Sequence, residues 1–128
     1  MKKLEGYTIL ICDDEPEIVE LLVDEFQWHG AKTLSASNGR EGFQTLLSQK
    51  IHLVLSDIRM PGGDGVELLK KIKEKDPSIP IVFLATGFSD YTEEEVCALG
   101  AEAVFKKPFQ MAKMVETVTT RLLQVQAH

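Results

Sequence analysis

Only two cysteines, Cys12 and Cys97, occur in the 128 residues. They are too few for a disulfide framework, so a reduced, cytoplasmic chain is expected, with both thiols acting as small buried apolar groups. No apolar run exceeds about five residues, far short of the ~20 that cross a bilayer. Met1-Lys2-Lys3 leads into Leu4-Glu5-Gly6 instead of an apolar stretch, so no signal peptide is expected. Basic charge is in deficit: 14 Lys+Arg face 20 Asp+Glu, for a net charge of −6. A nucleic-acid binder needs a cationic footprint to displace counterions, so direct DNA or RNA binding is not expected. His29, His52 and His128 share no ligand-like spacing, which leaves a zinc site without support. Linkers, low-complexity tracts and sequence repeats are missing too. At roughly 100–200 residues per domain the chain reads as a single domain. Its core is expected over about residues 7–125, with no output domain appended.

What is present is a globular composition, 44% hydrophobic and 27% charged, in which two periods alternate. Short β-branched runs at Thr8–Cys12, Lys32–Ala36, His52–Ser56, Ile81–Ala85 and Ala103–Phe105 read as strands. Between them lie helical patterns. Ile18, Leu21, Leu22, Phe26 and His29 form one stripe with Glu25 as a polar intruder, and Pro16 suits a first helical turn. A short helix over Gly42–Leu47 follows Asn38-Gly39, and Val66–Ile72 continues to a stop at Asp76-Pro77. Thr92 and Glu95 form a capping box, with Gly100 ending that helix. Met111, Met114, Val115, Val118, Leu122 and Val125 make the last stripe. Five βα units predict an α/β fold: a five-stranded parallel sheet covered on both faces, a three-layer (βα)5 sandwich.

In open α/β sheets ligands bind beyond the carboxyl ends of the strands, so those ends carry the chemistry. Cys12-Asp13-Asp14-Glu15 follows the first strand, and Asp57 with Ile58-Arg59-Met60-Pro61-Gly62-Gly63-Asp64-Gly65 follows the third. Thr86-Gly87 follows the fourth and Lys106-Lys107-Pro108-Phe109 the fifth. Any one of these has a plain explanation. Asp14 or Glu15 suits a helix N-cap, Asp57 before a Pro-Gly loop suits a turn, and a Lys-Pro pair ends a strand.

Together, and in this order, they resemble the receiver domain of two-component response regulators over essentially the whole chain. The resemblance implies a flavodoxin-like sheet in the order 2-1-3-4-5. It also implies Asp57 as phosphoacceptor and a Mg²⁺ ion, or Mn²⁺ in its place, held by Asp13, Asp14, Asp57 and the backbone carbonyl of Arg59. Thr86 would offer a hydroxyl to a phosphoryl oxygen, and Lys107, which abuts Pro108, would supply a cation. Physical chemistry agrees with such a set. Three carboxylates on adjacent strand ends repel one another and raise their pKa values. A hard cation that wants an octahedron of oxygens relieves that repulsion and keeps open positions for a phosphoryl group. Lys106 cannot share the task, because neighbours on a strand face opposite ways.

The implied partners are a sensor histidine kinase or histidine phosphotransfer protein as phosphodonor, and a downstream protein effector. The domain is then an autocatalytic switch, not a turnover enzyme, acting as a monomer or a phosphorylation-dependent dimer. One residue departs from the family pattern: Val104 stands where an aromatic switch residue is usual, three positions before Lys107. Output is expected through Thr86 and Val104, or through backbone movement over residues 86–91. The alternatives are a phosphorylation-independent interaction module and an aspartyl-phosphate phosphatase. Haloacid-dehalogenase-like phosphatases carry a second Asp two residues after the nucleophile, where this chain has Arg59. The negative charge is also local. Residues 13–25 hold seven acids and no Lys or Arg, and the balance without them is +1. Glu17 and Glu20 in that segment suit either a solvated helix face or a docking surface for a basic partner.

Overall fold

The computed structural model describes residues 2–85 and 91–126. Its elements run β1 (Thr8–Cys12), α1 (Pro16–Trp28), β2 (Lys32–Ala36), α2 (Gly39–Ser48), β3 (Leu53–Asp57), α3 (Gly65–Lys75), β4 (Ile81–Ala85), α4 (Glu93–Ala98), β5 (Ala103–Lys106) and α5 (Met111–Gln126). The sheet order is β2-β1-β3-β4-β5. Each pairing is parallel, so every strand delivers its carboxyl end to one edge. The register carries Cys12 opposite Ser56 and Asp57 opposite Leu84. The residues after β1 and at the tip of β3 are thereby brought side by side.

Alternation along the strands builds two cores, one on each face of the sheet. Leu10, Val54, Ile81 and Phe83 join Leu46 of α2, Leu69 of α3 and Val96 of α4 on one side. Ile9, Leu53, Leu55, Val82 and Leu84 meet Leu22 and Phe26 of α1 and Met114 and Val118 of α5 on the other. Helices α2, α3 and α4 begin where their side-chain caps dictate. Asn38 and Asp64 accept from the backbone N–H groups of Glu41 and Glu67 at 2.8 Å each. Thr92 and Glu95 close the expected capping box. Gly100 ends the turn after α4 at φ 115°, a conformation that glycine adopts without steric cost.

Several expectations need correction. The third strand lies one residue later than expected and includes Asp57, and the fifth includes Lys106, because ladder pairs Asp57–Leu84 and Ala85–Lys106 extend them. Leu21 is 52% exposed. The buried stripe of α1 is centred on Leu22 and Phe26, so Leu21 falls beyond its edge. Cys97 is exposed, whereas Cys12 is buried. On α4 the core-facing position belongs to Val96, and one step of about 100° turns the next residue outward. Burial, then the charges of Glu41 and Asp13, push the Cys12 thiol up to about 12, which makes it unreactive. Among the described residues no helix is long and apolar enough to cross a membrane.

At the amino edge of the sheet, His52 and Thr8 bond reciprocally. The His52 N–H donates to the Thr8 carbonyl at 2.9 Å, and the Thr8 N–H donates to His52 Nδ1 at 2.9 Å. That second bond requires an unprotonated Nδ1, and burial, with the charge of Lys50, holds His52 below its ordinary value. A depressed histidine contributes stability above the unfolded pKa, about 6.5, and loses it as pH falls through the folded value. His52→Gln is therefore expected to flatten part of the fall in melting temperature between about pH 7 and pH 5. Parallel pH curves for the two chains in thermal melts would contradict this.

Candidate functional site

The carboxyl edge of the sheet gathers three strand ends. Asp13 follows β1 and is 3% exposed; Asp57 ends β3 and is 2% exposed. The Asp13 N–H donates to the Ala36 carbonyl, and Asp13 Oδ1 accepts from the Glu15 N–H at 2.9 Å. Asp13 is thus fixed at both its backbone and its carboxylate. The Ser56 hydroxyl donates to the Asp57 carbonyl at 2.8 Å, and the Gly65 N–H donates to the Ile58 carbonyl at 2.7 Å. The first bond holds the peptide after Asp57 within β3, and the second ties the chain just beyond it to the start of α3.

Lys107 follows β5 and reaches into this cluster, while Lys106 is exposed. The Lys107 ammonium donates to Asp13 Oδ2 at 3.0 Å, Asp57 Oδ2 at 3.3 Å and Glu15 Oε1 at 3.4 Å. The Lys107–Pro108 peptide is cis. Burial alone would lower the lysine, but its bond to Asp13 and the charges of Asp57 and Asp13 outweigh this and hold it above its ordinary value. Asp57 is shifted up as well. Burial is the largest cause and Asp13 adds to it, with Lys107 opposing. The ionised form of Asp57 is therefore under-supported where it stands.

Asp57 Oδ1 is buried and has no hydrogen-bond partner among the described residues. Asp13, Asp14, Glu15 and Asp57 can each bring a carboxylate oxygen within 4.8 Å of the others. Among the described residues, three of these four acids share the Lys107 ammonium, and the donor set is all oxygen. Such a set suits a hard divalent cation and gives a soft metal nothing to prefer. The residues fit a resident metal of that class.

A sequence profile described as the response regulator receiver domain matches residues 9–119. The chain belongs to the response regulator receiver domain family. This receiver domain is 29% identical over 120 residues to the response regulator SaeR of Staphylococcus aureus, covering 94% of this chain and 52% of that protein. It thus spans about half the length of the curated relatives it matches. Among solved structures, a putative response regulator from Chloroflexus aurantiacus superposes with a TM-score of 0.84 at 25% identity, covering 93% of this chain and 99% of that one. The receiver domain of Francisella response regulator 1452 gives 0.85 at 23% identity, covering 93% and 98%. At that identity the likeness is one of fold.

Of the residues named from sequence, the fold brings Asp13, Asp57 and Lys107 into direct contact, with Asp14 beside them at the exposed rim. Arg59 sits two residues past Asp57 and is exposed. Thr86 lies outside the described residues, as does most of the 86–91 loop. Val104 packs against the core on the α2–α4 side and Phe105 against that of α1 and α5, so the two face opposite ways. Sequence reading missed one participant: Glu15, expected only as a possible cap, contributes its carboxylate to the cluster. Its adjacency to Asp13-Asp14 was the available signal.

Proposed function

We propose that this receiver domain accepts a phosphoryl group on Asp57 from the phosphohistidine of a sensor kinase or phosphotransfer protein, in a Mg²⁺-dependent reaction. The convergence of Lys107, Asp13, Asp14 and Glu15 on a buried aspartate, one of whose oxygens has no partner among the described residues, carries this reading. The P–N bond of the donor breaks as a P–O bond forms to Asp57, and the imidazole leaves. Asp13, Asp14, Asp57 and the Arg59 carbonyl would hold the ion, which neutralises charge on the transferring oxygens when bound. Lys107 offers its ammonium to a phosphoryl oxygen, and Thr86 its hydroxyl.

The product is an acyl phosphate that adds charge at the sheet edge and changes which proteins bind there. The domain works as a switch in two-component signalling, with a downstream protein as its effector. Exposed Glu17, Glu20 and Asp24 give α1 an acidic outer face, which suits a donor with basic patches.

Acetyl phosphate supplies a test that needs no cognate kinase. Intact mass spectrometry is expected to show one added phosphoryl group with Mg²⁺ present and none after chelation. Labelling that ignores the chelator, or that maps away from Asp57, would sink the assignment.

A further inference from the structure

An N-cap side chain ordinarily turns back to accept from the first helical N–H groups. Glu15 occupies that position in α1 and makes no such bond. Pro16 follows it, and a proline has no N–H to satisfy. The Glu15 carboxylate points the other way, to Lys107 at 3.4 Å. Its own N–H is tied to Asp13 Oδ1, which fixes the backbone from which the side chain reaches.

An ammonium has three protons, and Lys107 donates to three carboxylates, those of Asp13, Asp57 and Glu15. A phosphoryl oxygen that needs Lys107 must displace one of them. The Asp13 and Asp57 side chains are 1% and 3% exposed, so stripping either of its cation leaves a buried charge unpaired. The Glu15 side chain is 52% exposed and can be taken up by water. With Lys107, Ile18, Leu21, Phe109 and Met111 it lines a groove of about 500 Å³, which leaves open space beside the carboxylate.

We propose that Glu15 is a positioning residue that holds Lys107 in reserve in the unphosphorylated domain and competes with the incoming phosphoryl group for it. The inference rests on the phosphoacceptor reading above. It assigns Glu15 a braking role, not that of a further metal ligand. An exposed ion pair is a weak competitor, so its removal is expected to change binding by about twofold to fivefold.

Beryllofluoride, which mimics a bound phosphoryl group without chemistry, is the probe. With Mg²⁺ saturating, Glu15→Gln is expected to tighten beryllofluoride by about twofold to fivefold in calorimetry. Glu15→Asp should stay closer to the parent chain. In a Lys107→Met background the same Gln substitution should change nothing, since the ammonium it frees is gone. A second readout needs no metal: proton exchange at the Lys107 ammonium, followed by NMR, should be faster in Glu15→Gln.

Unchanged or weakened beryllofluoride binding in Glu15→Gln overturns the proposal. So does tightening that persists without Lys107, which would reflect bulk charge alone. If the unmodified chain binds no beryllofluoride, the phosphoacceptor reading itself has failed, and that arm separates the two failures.

Discussion

Asp57→Asn is expected to take up no phosphoryl group from acetyl phosphate and, free of metal, to melt higher than the parent chain at pH 7. The two effects share one cause. An amide cannot form the acyl phosphate, so labelling falls to background. The same substitution removes a charge that the fold under-supports. Asp57 is buried, sits near Asp13, and has one oxygen without a partner among the described residues. Its pair with Lys107 does not compensate, because Asp57 remains shifted up. A carboxyl raised in the folded state contributes most below its unfolded value, near 3.8, and that contribution is lost as pH rises through the folded value. At pH 7, above the unfolded value, the parent chain carries a penalty that the Asn chain lacks.

Lys107 keeps Asp13 and Glu15 as acceptors in the variant, so no new unpaired charge appears. A gain of about 1 kcal/mol would raise the midpoint by roughly 3–5 °C for a domain of this size. Thermal melts in chelator at pH 7 and pH 4 check the sign, because the gap between the chains should narrow in acid. A lower midpoint for Asp57→Asn at pH 7 would mean that the Lys107 pair, not burial, dominates the site.

The second large effect is expected from Gly65→Ala, far smaller as a chemical change. Gly65 opens α3, and alanine there is favoured by helix propensity by at most about 1 kcal/mol. Against this, an added Cβ would strike the Asp57 carbonyl oxygen, lie 2.8 Å from the Phe83 ring and 3.1 Å from the Ile58 Cα. Two of those neighbours are backbone, and Phe83 is wholly buried. Nothing flexible can yield, so either α3 or the tip of β3 must shift. Overpacking of this kind costs about 1–3 kcal/mol, occasionally more, and outweighs the propensity gain.

The expected result is a melting midpoint lower by roughly 5–10 °C. Acetyl phosphate labelling should also slow at temperatures where circular dichroism still reports a folded chain. Loss of stability with full labelling would mean that the strain is absorbed in α3 and never reaches Asp57. An unchanged midpoint would show that the clearance at Gly65 is not limiting.

Much of this was readable from sequence because a parallel sheet turns strand order into spatial proximity. Asp13, Asp57 and Lys107 each close a β-branched run, and such runs in one sheet end on one edge. That edge follows from periodicity alone, whereas the 2-1-3-4-5 order came through family resemblance. Side-chain direction was harder. Leu21 was misplaced because a helical stripe read from spacing leaves its rotational phase loose by about one residue, or 100°, and Cys97 because the usual burial of cysteine does not tell which way its helix faces. Glu15 was undervalued because its role depends on a choice between two partners, the helix N-terminus and Lys107. Only the fold brings Lys107 close enough to compete. The one-residue shift of β3 has the same origin: Asp57 pairs with Leu84, a partner that no local window contains.

Lys107 bonds to Asp13 across 94 positions of chain and to Asp57 across 50. Its three acceptors and its own ammonium come from opposite ends and the middle of the sequence. Until β5 has docked, the acids face one another with no cation between them. A chain emerging from synthesis, or one whose carboxyl-terminal third has frayed, holds the proposed phosphoacceptor but not its counter-charge. Under the proposed phosphoacceptor role, competence to receive a phosphoryl group is tied to completion of the fold, and the site doubles as a proofreader of its own assembly.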